Sequence, residues 1–145
     1  MTIIMKKRFL TILSMAIMFA LAFSACDKET TDTFTETEPN GTFATASSLT
    51  SGDLCDAEIS PSQDIDYFKV TATGALTITL DGDSSLELYI TVYDQDQVVV
   101  YEDDTGSRGA SLTQTINADE YDGTLYLKIE SAYVDDTGTY TLKYE

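Results

Sequence analysis

Apolar and polar residues alternate along most of this chain. In one segment every second residue is apolar, at Leu86, Leu88, Ile90 and Val92. A period of two predicts a β-strand with one buried and one exposed face. The same alternation recurs at residues 68–72, 76–80, 125–129 and 140–144, with shorter runs at 98–101 and 112–116, and residues 54–59 read as a further strand. We therefore predict about eight strands, because no segment between them shows the 3.6-residue stripe of an amphipathic helix.

Short segments rich in Asp and Gly separate these strands, among them 81–83, 94–96 and 136–138. Such residues favour turns, because Gly adopts positive φ and Asp hydrogen-bonds to nearby backbone. A strand with one apolar face must bury that face against a second sheet. The pattern thus predicts an all-β fold, an antiparallel β-sandwich of jelly-roll type, with Asp81-Gly82-Asp83 and Asp94-Gln95-Asp96 as hairpin turns.

The first 25 residues form a separate unit. Lys6, Lys7 and Arg8 precede an apolar run, 9–23, that is short for a membrane span and is followed by small residues. This arrangement is typical of an export signal. Three of the eight basic residues and none of the 25 acidic ones lie there, so the remaining chain carries a formal charge of −20.

Cys26 directly follows Phe-Ser-Ala. This arrangement resembles the bacterial lipobox, although Phe23 stands where the lipobox usually has Leu. The resemblance implies that Cys26 carries diacylglycerol and that the protein is an exported lipoprotein, anchored in a membrane and facing the periplasm or the cell surface. The alternative is an ordinary signal-peptidase cut and a freely secreted protein. Residues 26–38 are polar and acidic, which predicts a flexible tether before a domain at 39–145.

Composition excludes several classes of function. The chain has no His, which excludes Ser-His-Asp and Cys-His catalysis and His-ligated metal sites. The negative charge, with no basic stripe to offset it, argues against nucleic acid as a partner. If Cys26 is lipidated, Cys55 has no disulfide partner, and we expect it to pack in a strand. Carboxylate chemistry and hard cations remain.

Several sequence features occur together in one order. They are Glu-Pro-Asn at 38–40, Asp-x-Asp-aromatic-Phe at 64–68, Leu-Tyr-x-x-Val-Tyr-Asp at 88–94 and two closing strands that begin with Gly-Thr at 123 and 138. In this order, residues 36–145 resemble the bacterial pre-peptidase C-terminal domain. The resemblance implies a non-catalytic β-sandwich of a kind usually appended to secreted hydrolases. Related domains of clostridial collagenases bind collagen and calcium. No peptidase precedes the domain here, so we expect a stand-alone surface protein.

Calcium is the cofactor that the residues favour. Glu36, Glu38 and Asn40 alternate along an extended segment and offer three side-chain oxygens on one side, which suits Ca²⁺. The resemblance implies a set of five ligands: Glu36, Glu38, Asn40, Asp64 and Asp66. Gly41 stands where the family often has Asp, so one ligand is expected to be missing. The alternative is that these residues are solvated acids and a turn.

A binding face is the second hypothesis. The chain has nine Tyr and no Trp, and four of the Tyr residues are out of phase with the core positions: Tyr89, Tyr93, Tyr101 and Tyr126. We expect these rings to face outward and to contact an extracellular protein, such as collagen, or a polysaccharide. The alternative is that they only form cross-strand pairs that stabilise the sheet. Tyr140 and Tyr144 are in core phase.

Three functions remain. The first is a non-catalytic, monomeric binding module at the cell envelope, anchored in the membrane by its lipid. The second is a structural envelope lipoprotein without a specific ligand. The third is a hydrolase that works with two carboxylates, which the short loops disfavour because they leave little material for a cleft.

Overall fold

The computed structural model of the chain describes residues 32–121 and 123–145. The predicted export signal and Cys26 lie outside these residues. The described part is all-β, and it contains no helix that is long and apolar enough to cross a membrane. The strands are β1 (Thr33–Thr35), β2 (Ser47–Ser48), β3 (Leu54–Ile59), β4 (Ile65–Thr71), β5 (Leu76–Gly82), β6 (Leu88–Tyr93), β7 (Val99–Asp104), β8 (Ser111–Ile116), β9 (Thr124–Ser131) and β10 (Gly138–Tyr144).

The strands form two five-stranded sheets. Sheet A has the order β1-β3-β10-β5-β8 and sheet B the order β2-β4-β9-β6-β7. Without the two short edge strands, four long strands remain in each sheet, in the orders β3-β10-β5-β8 and β4-β9-β6-β7. This is the arrangement of a jelly roll, in which the chain crosses between the sheets repeatedly. The predicted β-sandwich and its eight long strands are confirmed.

The two short strands were not predicted, and they make both sheets mixed. β1 pairs with β3 and β2 pairs with β4, each in parallel, whereas the long strands pair antiparallel. β1 lies inside the predicted flexible tether, so that prediction is wrong for residues 33–35. The reason is Phe34, which packs against the core while the threonines on either side are exposed. One apolar ring in a polar segment was enough to add a strand to the sheet.

The core lies between the two sheets and consists of the predicted inward positions. Phe68, Leu88, Leu127 and Leu142 are among its fully buried side chains. Burial of each such side chain stabilises the fold by about 1.5 to 3 kcal/mol. Cys55 is also fully buried in β3, as expected, and burial raises the pKa of its thiol to about 12, which makes the thiol unreactive.

The two predicted hairpins differ in outcome. Asp94-Gln95-Asp96 does connect paired strands, β6 and β7, and the Asp94 carboxylate accepts the backbone N–H groups of Asp96 and Val98. Asp81-Gly82-Asp83 is not a hairpin, because β5 and β6 belong to different sheets. Asp81 and Gly82 remain paired with β10, and the chain then crosses to the other sheet.

Candidate metal site and tyrosine face

Asp66 occupies a position where the alternation of β4 calls for an apolar side chain. It shares the inward phase of Phe68 and is fully buried. From the opposite sheet, the Tyr140 hydroxyl donates to its Oδ2 at 2.5 Å. The Asp66–Tyr140 contact therefore bridges the two layers of the sandwich at the edge of the core.

The segment 36–40 brings further oxygens to this place. The Glu36 carboxylate accepts the backbone N–H of Glu58 at 2.6 Å and the side-chain amide of Asn40 at 2.8 Å. The Glu38 carboxylate accepts the backbone N–H of Asn40 at 2.9 Å. Asn40 is itself fully buried. These contacts hold the segment against β3 and turn its oxygens toward Asp66.

Glu36, Glu38 and Asp66 form a cluster in which one carboxylate oxygen from each lies within 4.8 Å of the others. Asn40 joins them through its hydrogen bond to Glu36. We call these four residues the cation cluster. Two oxygens of the cluster are buried without any hydrogen-bond partner, Oδ1 of Asn40 and Oδ1 of Asp66. A buried acceptor without a partner is costly, so each such group needs an explanation.

The electrostatics of the cation cluster also indicate that its acids lack partners. Burial, with smaller contributions from Glu36 and other nearby acids, raises the pKa of Asp66 to about 8, although the Tyr140 hydrogen bond opposes the shift. Burial also raises the pKa of Glu36. The three ion pairs among the described residues are Arg108–Asp136, Lys128–Glu130 and Lys143–Glu145, and none includes a cluster residue. The cluster thus lacks a positive counter-charge from those side chains.

A calcium ion fits this donor set. All the donors are hard oxygens, which Ca²⁺ prefers, and Ca²⁺ tolerates the irregular geometry that three side chains from a loop and one from β4 impose. The unpartnered Oδ1 atoms of Asn40 and Asp66 would become ligands, and the three carboxylates would gain a counter-charge. Four of the five predicted ligands are therefore brought together.

Asp64, the fifth predicted ligand, is used elsewhere. Its two carboxylate oxygens accept the backbone N–H groups of Ser60 and Ile65 at 3.0 and 2.9 Å, so it closes the turn before β4. An acidic side chain at position 41 would also be crowded. A Cβ at Gly41 would lie 3.2 Å from the Ile65 carbonyl oxygen, which is closer than most side chains allow.

A cleft of about 770 Å³ opens in front of the cation cluster on the outer face of sheet A. Glu36 and Glu38 line it, whereas Asp66 and Asn40 lie behind and do not. Asp66 has the raised pKa that a general acid needs, but a fully buried carboxyl cannot reach a substrate in this cleft. The geometry therefore favours a cation over carboxylate catalysis.

The outer face of sheet B carries the predicted tyrosines in part. Tyr93 and Tyr126 are outward and directly opposite each other on β6 and β9. The ring of Phe43 lies between them, with centroid distances of 5.1 and 5.2 Å in edge-to-face geometry, and 4.7 Å from the ring of Tyr67. We call Phe43, Tyr67, Tyr93 and Tyr126 the four-ring cluster. Such contacts stabilise the sheet as well as shaping its surface.

Tyr101 is not on this face, so the prediction for it is wrong. It pairs with the inward Val92, and its ring packs against the core. The register shifts by one residue at the next pair, where Tyr93 faces Val99 and Val100 is left over as a β-bulge. A bulge reverses the phase of a strand, which alternation alone does not reveal. The Tyr101 hydroxyl donates to Asp103.

Tyr89 does lie on the outer face of sheet B, opposite Glu130 of β9 and Asp104 of β7. It is not one of the three tyrosines whose rings contact Phe43. Burial and the neighbouring Glu102 raise the pKa of its hydroxyl. Three of the four predicted tyrosines thus share one face, Tyr89, Tyr93 and Tyr126.

Sequence reasoning missed three residues of these sites. Tyr67 follows Asp66 in the alternation of β4, so its outward position could have been predicted. Tyr140 was correctly placed in the core, but its partner Asp66 lies 74 residues away in the chain. Phe43 lies in a loop without periodicity, so no local signal could have placed its ring on sheet B.

Comparison with known proteins supports the fold. No protein-family model matches the chain, and no curated protein matches its sequence. The crystal structure of the pre-peptidase C-terminal domain of collagenase from Bacillus anthracis is similar, with a TM-score of 0.54 and 12% identity, over 69% of this chain and 94% of that one. The VP2 subviral particle of infectious bursal disease virus matches with a TM-score of 0.33 and 14% identity, over 63% and 28%. The resemblance to the pre-peptidase C-terminal domain is therefore confirmed at the level of the fold.

Proposed function

We propose that this protein is a non-catalytic accessory module of the cell envelope, stabilised by calcium, that binds an extracellular protein or polysaccharide. The observation that carries the calcium part is the pair of buried oxygens without partners, Oδ1 of Asn40 and Oδ1 of Asp66, beside Glu36 and Glu38. A calcium ion would satisfy both oxygens and offset most of the negative charge of three acids held within 4.8 Å of one another.

The binding part of the proposal is supported by the outer face of sheet B. Tyr89, Tyr93 and Tyr126 present aromatic area there, and Lys69 and Lys128 lie on the same face, opposite Tyr126 and Tyr67. Rings with a polar tip bury apolar area against a ligand while losing few rotamers. The structurally similar domain belongs to a collagenase, so collagen is the first protein to test.

The envelope location rests on the sequence of the first 26 residues. A basic segment, an apolar run and Cys26 after Phe-Ser-Ala favour export and lipidation. Mass spectrometry of the protein from a membrane fraction tests this directly. We expect an N-terminal Cys26 carrying acyl chains, and an unmodified N-terminus near residue 25 would show simple secretion instead.

Isothermal titration of the full-length protein with CaCl₂ tests the cation site. We expect one site in the wild type, no binding in the double variant E36A/E38A, and unchanged binding in D83A, because Asp83 is a partly exposed acid outside the cluster. MgCl₂ is the matched control, and it should bind more weakly because Mg²⁺ demands near-ideal octahedral geometry. Absence of calcium binding in the wild type would reject the site.

A further inference from the structure

The cation cluster and the four-ring cluster are joined by very little backbone. Asn40 belongs to the first and Phe43 to the second, and only Gly41 and Thr42 lie between them. The same holds on β4, where Asp66 points inward to the cation cluster and Tyr67, the next residue, points outward to the ring of Phe43. The two clusters thus lie on opposite sides of the place where the 40–43 segment crosses β4.

Hydrogen bonds and close packing hold this crossing together. The backbone carbonyl of Asn40 accepts the N–H of Tyr67 at 3.1 Å and the N–H of Thr42 at 2.9 Å. At the next position, the space for a Cβ at Gly41 is limited by the Ile65 carbonyl oxygen at 3.2 Å. Displacement of Asn40 would therefore disturb both the contact with β4 and the start of the turn that carries Phe43.

The position of Phe43 depends on this turn. Thr42 and Thr45 close it through a hydroxyl–hydroxyl contact of 2.7 Å and a backbone hydrogen bond of 3.1 Å. The ring then contacts tyrosines on three different strands, Tyr67 of β4, Tyr93 of β6 and Tyr126 of β9. Phe43 is the only member of the four-ring cluster that does not belong to sheet B itself.

We propose that binding of a divalent cation at Glu36, Glu38, Asn40 and Asp66 is coupled to the seating of Phe43 on Tyr67, Tyr93 and Tyr126. The cation holds Asn40 against β4, and this fixes the turn that places the ring. Without the cation, the buried Oδ1 atoms of Asn40 and Asp66 have no partner, the 36–43 segment loosens, and Phe43 leaves the tyrosines more often. The cation thereby sets the shape of the aromatic face.

This inference rests on the proposed function for the identity of the cation site. Coupling between two sites is reciprocal, so loss of the ring must weaken cation binding by the same factor by which loss of the cation weakens the ring contact. The reciprocity allows the coupling to be tested from both sides, through cation binding and through the position of the ring.

The first measurement is calorimetric titration of the full-length protein with CaCl₂. We expect F43A to bind calcium about five-fold more weakly than the wild type, a coupling of ordinary size. F43Y keeps a ring on the tyrosines and should restore the wild-type affinity. Y89A removes a ring from the same outer face but outside the four-ring cluster, and it should bind calcium as the wild type does.

The second measurement is the NMR spectrum of the Phe43 ring protons. Three neighbouring rings should shift these protons away from their values in a free peptide, and chelation with EDTA should move them toward those values. Calcium affinity in F43A within about two-fold of the wild type overturns the coupling and leaves the cation site standing. If the wild type itself binds no calcium, the proposed site and the coupling both fail.

Discussion

The carboxylates of Asp83 and Asp66 contact opposite faces of β10, and they show how differently one residue type is used in this fold. Thr139 points outward and donates its backbone N–H and its hydroxyl to Asp83, whose other oxygen accepts the N–H and the hydroxyl of Ser85. Tyr140, the next residue, points inward and donates to Asp66. Asp83 is partly exposed and has partners on both oxygens, whereas Asp66 is buried and one of its oxygens has none.

The pKa values of the two groups diverge for this reason. The hydrogen bonds from Ser85 and Thr139 lower the pKa of Asp83 to about 2, and burial raises the pKa of Asp66 to about 8. Asp83 is thus an ionised carboxylate whose hydrogen bonds are already made, and it stabilises the connection from β5 to β6. Asp66 is satisfied only by protonation or by a cation. An acid is structural where neighbouring groups supply its hydrogen-bond donors, and it becomes a candidate ligand where burial leaves it without them.

The largest expected effect comes from adding calcium. A ligand that binds only the folded state stabilises it by about 4 kcal/mol at a concentration of 1,000 Kd. We expect calcium to raise, and EDTA to lower, the melting temperature of the wild type and of D83N. In D66N the difference should be largely lost. If the wild type melts at the same temperature in calcium and in EDTA, Asp66 is not a calcium ligand and does not differ from Asp83 in this respect.

The second effect is the pH dependence without calcium. Because the pKa of Asp66 is higher in the folded than in the unfolded state, the folded state binds more protons between about pH 4 and pH 8. The free energy of unfolding should therefore fall as the pH rises through this range, by an amount on the order of a few kcal/mol. The raised pKa of Glu36 acts in the same direction.

Urea denaturation in EDTA at a series of pH values measures this effect. D66N should show a much shallower slope, with a remainder from Glu36, whereas D83N should keep the wild-type slope above pH 4. A wild-type stability that is flat from pH 4 to pH 8 would contradict the burial of an under-bonded carboxyl.

The third effect concerns Asp83 and has the opposite sign. Hydrogen bonds to a charged acceptor contribute about 2 kcal/mol, so D83N should unfold more easily by roughly that amount at pH 7. Because the pKa of Asp83 is lowered, its contribution is complete above about pH 4 and is lost as the pH falls toward 2. Chemical denaturation at pH 7 and pH 2.5 should show a smaller difference between D83N and the wild type at the lower pH.

The smallest effect separates the tyrosines. Y93A removes a ring that contacts Phe43 and should cost about 1 kcal/mol, whereas Y89A should leave the melting temperature unchanged. If this face binds the ligand, both variants should be retained less on collagen or on a polysaccharide column. Retention equal to the wild type in the double variant Y89A/Y93A would reject the face.

The alternation of apolar and polar residues was sufficient to predict the sandwich and its eight long strands, because burial of one face of each strand is a local property of the sequence. The same rule predicted the inward position of Tyr140 and the outward positions of Tyr93 and Tyr126. It failed where the register slipped at Val100, which turned Tyr101 toward the core. It also failed at Phe34, where a single apolar residue anchors a strand.

The sequence predicted the kind of ligands in the candidate site, but not which of the two aspartates, Asp64 or Asp66, belongs to it. Spacing brought Glu36, Glu38 and Asn40 to one side of a segment, and this part of the prediction agrees with the cluster. Whether Asp64 or Asp66 joins them depended on which carboxylate found backbone donors, and Asp64 found two in its own turn. The position of Phe43 depended on packing between a loop and three strands.

The sequence by itself determined the class of fold and the supply of oxygen donors, because strand periodicity and residue chemistry are properties of short segments. Only the tertiary structure decided which acids remain without partners. A carboxylate's hydrogen bonds and its exposure to water are fixed by residues far away in the chain, such as Tyr140 for Asp66 and Thr139 for Asp83. Those long-range contacts set the free energy of each charge, and with it the difference between a structural acid and a ligand.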